Sequence, residues 1–186
     1  MNKKKITIIL FILIILIFLF GVFRIQNNIL KLFYKTDYSK YVYKYSEQNM
    51  IDPYLTFSII RAESNFNKES LSKSGAVGLM QLMESTAQEV ANKKNLNNFT
   101  KEDLYNPEIN IMLGTSYFKQ LLEKYGNNTF IALVAYNAGI GIVDSWIKEG
   151  ILNKDGDNLE NVPYKETNMY VRKIIRDYKI YKDLYK

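Results

Sequence analysis

From Ile6 to Phe23 the chain carries no charge and is almost wholly Ile, Leu and Phe. That stretch is long enough to cross a bilayer, and it lacks the polar stripe that a helix of a soluble domain would show. Beyond it the pattern changes. Residues 24–37 read as a short polar and aromatic connector, after which Tyr38, Tyr41, Val42 and Tyr45 recur at helical spacing up to Asn49. Asp52 followed by Pro53 is an N-cap with proline at the first helical position, predicting a helix to about Glu63 with Leu55, Ile59 and Ala62 on one face. The serines and glycines of Asn67 to Gly78 predict an ordered loop. A helix over Glu84 to Ala91 follows, with Glu84 and Ser85 at its start, and then a polar interval from Asn92 to Phe99.

Asn106-Pro107-Glu108 repeats the order of cap, proline and acid. It opens a helix whose Ile111, Thr115, Phe118, Leu122 and Tyr125 form one stripe before Gly126 stops it. Asn128 caps the next helix, where Phe130 to Tyr136 is apolar on every side, as an element at the centre of a domain must be. That helix ends at Asn137-Ala138-Gly139. Gly141 to Glu149 predicts a short helix, Gly150 to Val162 a loop, and Val171, Ile174, Ile175 and Tyr178 a final helix. Strand alternation is absent and no internal period marks a repeat array. The expectation is an all-α domain behind an N-terminal transmembrane helix.

A length of 186 residues suits one such domain. Lys3, Lys4 and Lys5 precede the apolar stretch and Arg24 follows it. A cleavable signal peptide would have a shorter apolar core ending in a small-residue site, and none follows Phe20. The expected layout is therefore a cytoplasmic tail (1–5), an uncleaved signal anchor (6–23), the connector (24–37) and an extracytoplasmic domain (38–186), with the lysines holding the N-terminus inside. The formal net charge is +6, of which these three lysines supply half. The remainder is only mildly basic and its lysines are scattered, which argues against nucleic acid as a partner but tolerates anionic lipid or wall polymer.

The chain contains no histidine and no cysteine. Imidazole bases, thiol nucleophiles, lipid attachment through a thiol and the commonest zinc sites are thereby excluded, and carboxylate acid/base chemistry remains. Glu63 is the leading candidate. It lies three residues after Ile60 and four after Ile59, so on a helix it leans over a partly buried face. Desolvation and the C-terminal end of the helix dipole both disfavour its charged form, predicting a raised proton affinity suited to a general acid near neutral pH.

The segment Glu63-Ser64-Asn65-Phe66-Asn67 continues into Ser72, Gly75, Ala76, Gly78-Leu79-Met80-Gln81 and Thr86-Ala87. Further on stand Asn106-Pro107, Asn110, Leu113-Gly114-Thr115, Ala135-Tyr136-Asn137-Ala138-Gly139, Glu166-Thr167 and Tyr170-Val171. In this order, over roughly residues 38–180, the chain resembles the catalytic domain of soluble-type (SLT) lytic transglycosylases. Each piece is weak alone, and together they are specific. The resemblance implies a lysozyme-like fold that cleaves peptidoglycan between N-acetylmuramic acid and N-acetylglucosamine and leaves a 1,6-anhydro end, a lyase reaction that needs no metal or organic cofactor. It departs from the family pattern at Lys68 and Glu84, where proline is frequent, and at Ile142, where arginine is common.

The resemblance assigns Glu63 as the catalytic group and puts Ser72 near the substrate N-acetyl group or Glu63. Met80, Gln81 and Met83 would line the groove, although Met80 and Met83 suit core filling equally and Ser72 suits a loop-backbone role. Gly75 and Gly78 would allow the loop its close approach. The Tyr136 phenol suits either the catalytic carboxylate or a sugar, and Asn137 the turn that closes its helix. Glu166 suits a substrate contact or first-turn helix charge, and Tyr170 the groove wall or the core. The rival readings are a muramidase on the same fold, which would use water in place of the sugar 6-hydroxyl, and a noncatalytic protein that binds wall glycan.

Overall fold

The structure, a computed structural model, describes residues 3–153, 156 and 159–186, with side chains from Leu10 onward. The start of the expected tail 1–5 and part of the expected loop 150–162 lie outside the described residues. The chain divides into two units, residues 1–35 with 184–186, and residues 36–183.

The first unit holds α1 (Lys3–Phe33). Its segment Leu10–Phe33 is long and apolar enough to cross a membrane, and every side chain from Leu10 to Phe20 is exposed. The connector expected over 24–37 is helical as far as Phe33. Polar Gln26, Asn27 and Asn28 suggest a linker, but no proline or glycine follows Arg24 to stop the helix, and Ile25, Ile29 and Leu32 continue its apolar content.

The second unit contains α2 (Ser39–Gln48), α3 (Pro53–Glu63), α4 (Glu84–Lys93), α5 (Pro107–Lys124), α6 (Thr129–Ala138), α7 (Ile140–Lys148) and α8 (Lys165–Tyr185), whose last residues belong to the first unit. Short 3-10 helices span Lys101–Tyr105 and Leu159–Asn161. Among the described residues no strand forms; the only ladder-like pairings there are isolated bridges joining Val77 to Leu71 and to Leu82.

The start signals act where the sequence puts them. The Asp52 carboxylate accepts from the Tyr54 amide at 2.9 Å, Asn106 from Glu108 at 2.9 Å, and Asn128 from Phe130 at 3.0 Å. Each supplies an acceptor for a first-turn N–H that the helix leaves unpaired. α4 is different: its N-cap is Met83, which makes no side-chain bond, so Glu84 contributes only first-turn charge. The 3-10 helix at Lys101–Tyr105 is absent from the sequence expectation, although its signal was present. Thr100 and Asp103 form a capping box, with the Thr100 amide donating to Asp103 at 2.8 Å.

α5 is the central element, packed against α2, α4 and α6. Its stripe of Ile111, Thr115, Phe118 and Leu122 is buried as the spacing predicts, whereas Tyr125 caps the helix half-buried. Ile131 to Ala135 of α6 are buried without interruption, the outcome for a helix apolar all round. At Gly139, φ is +92°, and the chain turns there directly from α6 into α7.

Three side-chain links clamp α8 along α3. The Tyr178 hydroxyl donates to Asp52 at 2.7 Å, the rings of Phe57 and Tyr181 stack with centroids 5.7 Å apart, and Arg61 pairs with the fully buried Asp177.

The loop 64–83 is tied down by one residue of α5. Asn110 is completely buried; it accepts from the Met80 amide at 2.8 Å and donates to the carbonyls of Val77 at 3.0 Å and Leu104 at 2.9 Å. Gly78 is what allows the approach. A Cβ there would lie 2.3 Å from Asn110 Nδ2 and 2.4 Å from the Leu104 carbonyl oxygen, and its φ of +78° is itself unfavourable for other residues. Asn110→Ala would strand three buried backbone groups. We expect it to destabilise the protein by about 3 kcal/mol or more, read by chemical denaturation with the single Trp146 as the fluorescent reporter. A change within about 0.5 kcal/mol would remove Asn110 from this role.

Candidate active site

Glu63 is the last residue of α3, and the chain reverses immediately after it. Asn65 and Phe66 take φ of +49° and +66°, a left-handed pair that is unusual for a ring as bulky as Phe66. Phe66 is buried near Phe57, with ring centroids 6.4 Å apart, so packing holds the turn. Ser64 ties it to the loop by donating to the Leu79 carbonyl at 2.8 Å. The catalytic candidate thus sits between a helix end and a loop, both fixed by core contacts.

Around Glu63 the structure gathers residues far apart in sequence. The Tyr170 hydroxyl donates to Glu63 Oε1 at 2.5 Å. One turn further along α8, Lys173 Nζ donates to the Ala62 carbonyl at 3.3 Å, which brings a cation near the carboxylate. Burial pushes the Glu63 carboxyl up from 4.5 to about 7, against the Tyr170 hydrogen bond and the Lys173 charge, which both favour the ionised form. Glu63 keeps part of its surface in solvent, while most of the surroundings of its carboxyl are protein. Burial also drives the phenols of Tyr136 and Tyr170 well above the usual tyrosine range, reinforced in both by the charge of Glu63. Both phenols therefore stay protonated hydrogen-bond donors.

The remaining expected site residues divide. Tyr136 spends its hydroxyl on the Met80 carbonyl at 2.7 Å, and the charge of Glu63 helps to hold its phenol protonated. Met80 is a correction: its side chain is fully buried, filling the space left by Gly114, where a Cβ would come within 2.4 Å of Sδ. A methionine with no exposed surface does not line a groove. Met83, three residues on, is exposed. Gln81 donates its amide to the carbonyls of Ser70 at 3.1 Å and Gly78 at 2.9 Å, bracing the loop.

Ser72 Oγ accepts from the Ala76 amide at 2.9 Å, the loop-backbone alternative, in the turn that Gly75 closes with φ of +88°. Asn137 accepts from the Thr167 hydroxyl at 2.7 Å and so links the end of α6 to the start of α8. Glu166, beside Thr167 in the first turn of α8, is exposed. Sequence reasoning missed Lys173. Its signal was the i, i+3 spacing from Tyr170, which puts both on one helix face.

The model of the transglycosylase SLT domain matches residues 40–156. The chain belongs to that family. The soluble lytic murein transglycosylase of Escherichia coli K12 is 33% identical over 134 residues, which are 71% of this chain and 21% of that protein. The membrane-bound lytic murein transglycosylase C of Edwardsiella ictaluri is 31% identical over 166 residues, 78% of this chain and 46% of the other. Among solved structures, an inactive glutamate-to-glutamine mutant of the lytic transglycosylase Slt of Pseudomonas aeruginosa matches with a TM-score of 0.75 at 29% identity, over 83% of this chain and 25% of that one. The chain thus spans about a fifth of the soluble curated relative and a quarter of the solved one. Its SLT domain is all-α and lysozyme-like.

A carboxyl raised from 4.5 to about 7 keeps its proton in the fold where the unfolded chain releases it. Stability therefore falls as pH climbs from about 4.5 to about 7, and the loss is complete above that. Glu63→Gln cannot ionise. Its melting temperature should match the parent near pH 4 and exceed it increasingly up to pH 7, a gain of roughly 2 to 3 kcal/mol. Parallel curves across this range would mean that Glu63 titrates as an ordinary exposed carboxyl.

Proposed function

We propose that this SLT domain is a peptidoglycan lytic transglycosylase, cleaving the β-1,4 bond between N-acetylmuramic acid and N-acetylglucosamine with formation of a 1,6-anhydro end. The observation that carries the reading is Glu63: a desolvated carboxyl with a pKa of about 7, held by Tyr170 through one oxygen. Near neutral pH such a group keeps a protonated fraction able to donate, and the carboxylate left by that donation can then act as base.

In the first step Glu63 donates its proton to the glycosidic oxygen as the bond to the anomeric carbon breaks. The N-acetyl oxygen of the substrate stabilises the electron-poor anomeric centre. In the second step the carboxylate takes the proton of the sugar 6-hydroxyl, whose oxygen attacks the anomeric carbon and closes the anhydro ring. Ordinary glycosidases use two carboxylates flanking the bond, and substrate assistance is the known exception. The side chains that act on the Glu63 carboxyl are Tyr170 and Lys173. The rival on the same fold, a muramidase that activates water, differs in the end group it leaves.

Tyr170 would orient the carboxylate. Met83 and Glu166, both exposed, would contribute to the groove around it, with Ser72, Gln81, Gly75 and Gly78 shaping the loop and Asn137 the end of α6. We further propose that α1 anchors the protein in the cytoplasmic membrane as a single span, with Lys3, Lys4 and Lys5 on the cytoplasmic side and the SLT domain outside. The support is the exposed apolar helix together with the membrane-bound relatives.

Digestion of purified peptidoglycan by the full chain in detergent, followed by mass spectrometry of the released sugars, tests the reaction. Anhydro ends, one water lighter than hydrolysed ends, are expected, with release reduced roughly 10³-fold in Glu63→Gln. Hydrolysed ends would assign a muramidase, and binding without release, unchanged in the variant, a noncatalytic wall-binding role.

A further inference from the structure

The outer face of α8 presents a surface that the proposed reaction does not use. A cavity of about 580 Å³ lies against it, with a floor made by the half-buried side chains of Phe130, Leu159 and Ile175. Its rim is cationic. Arg172, Arg176, Lys179 and Lys182 follow one another at helical spacing along α8 and all border the cavity. Arg172 and Arg176 keep 55% and 62% of their side-chain surface in solvent. Among the described residues, nearby carboxylates offset this only in part. Glu160 is 3.7 Å from Arg172 and itself 88% exposed, Asp177 is buried and shared between Arg176 and Arg61, and Asp183 stands at the cavity edge.

An apolar cleft bordered along α8 by four cations matches an amphiphile with a negative head. A hydrophilic polyanion would use the rim and leave the floor uncovered, whereas a lipid uses both. We propose that this face of α8 docks on anionic phospholipid of the bilayer that α1 spans, headgroups meeting the basic rim and acyl carbons the apolar floor. Lys and Arg near an anionic leaflet are each attracted to it. The anchor raises the local concentration further, because α2 begins at Ser39, soon after α1 ends at Phe33. This inference rests on the membrane-anchor reading above.

The test uses the full chain reconstituted in phosphatidylcholine vesicles with and without phosphatidylglycerol. Lysine acylation is read by mass spectrometry, with Lys124 and Lys148 as internal controls. Lys179 and Lys182 should react at least threefold more slowly in the anionic vesicles. The protection should vanish in high salt, which screens such contacts, and should weaken in Arg172→Glu, a variant expected to digest peptidoglycan at the parental rate. Equal reactivity in the two vesicle types, or protection that salt leaves intact, would overturn the docking. So would protection produced in neutral vesicles by a soluble phosphodiester polymer but not by phosphatidylglycerol. Alkaline extraction from neutral vesicles reads the anchor separately. Release there would sink the single-span reading, while the contrast between neutral and anionic vesicles would still decide the docking.

Discussion

The fully buried amide of Asn110 is the constraint on which the SLT domain depends. Between Glu63 and Glu84 the chain forms neither helix nor strand, yet much of it lies inside the protein, with Val77, Leu79, Met80 and Leu82 almost without exposed surface. Backbone groups in such a segment need partners, because water cannot reach them. Asn110 supplies three from one side chain, and only an amide carries both the donors and the acceptor required. Among the described residues, no buried side-chain nitrogen or oxygen is left without a partner.

From that anchor the site follows. The loop carries Leu79 to where Ser64 can reach its carbonyl, and Met80 to where its carbonyl receives Tyr136. Those two bonds bring the ends of α3 and α6 to the same loop. On the other side the clamp between α3 and α8 sets Tyr170 and Lys173 against the last turn of α3. Glu63 is then desolvated by the surrounding protein and, among the described residues, touched by one strong donor, Tyr170. A closer cation, or more backbone donors, would have pulled its proton affinity back into the ordinary range.

Much of this was legible in the chain. The caps at Asp52, Asn106 and Asn128, the buried stripe of α5 and the all-apolar α6 depend on interactions within one or two helical turns. Glu63 was legible for the same reason, since its place after Ile59 and Ile60 and before a glycine-rich loop is a local fact. Over residues 24–33 the helix continues through polar positions, because polarity alone does not end a helix where no proline or glycine stands.

The sequence by itself determined where helices start and stop, which faces are apolar and that a carboxylate would carry any acid/base chemistry, because these follow from short-range periodicity and residue type. Tertiary structure decided what each polar group is spent on. Met80 went to the core, Tyr136 to a backbone carbonyl, Ser72 and Gln81 to the loop itself, and Tyr170 to Glu63 across 107 positions. Hydrogen bonding and desolvation depend on which atoms come within a few ångströms, and no spacing along the chain encodes that until helices far apart in sequence have packed.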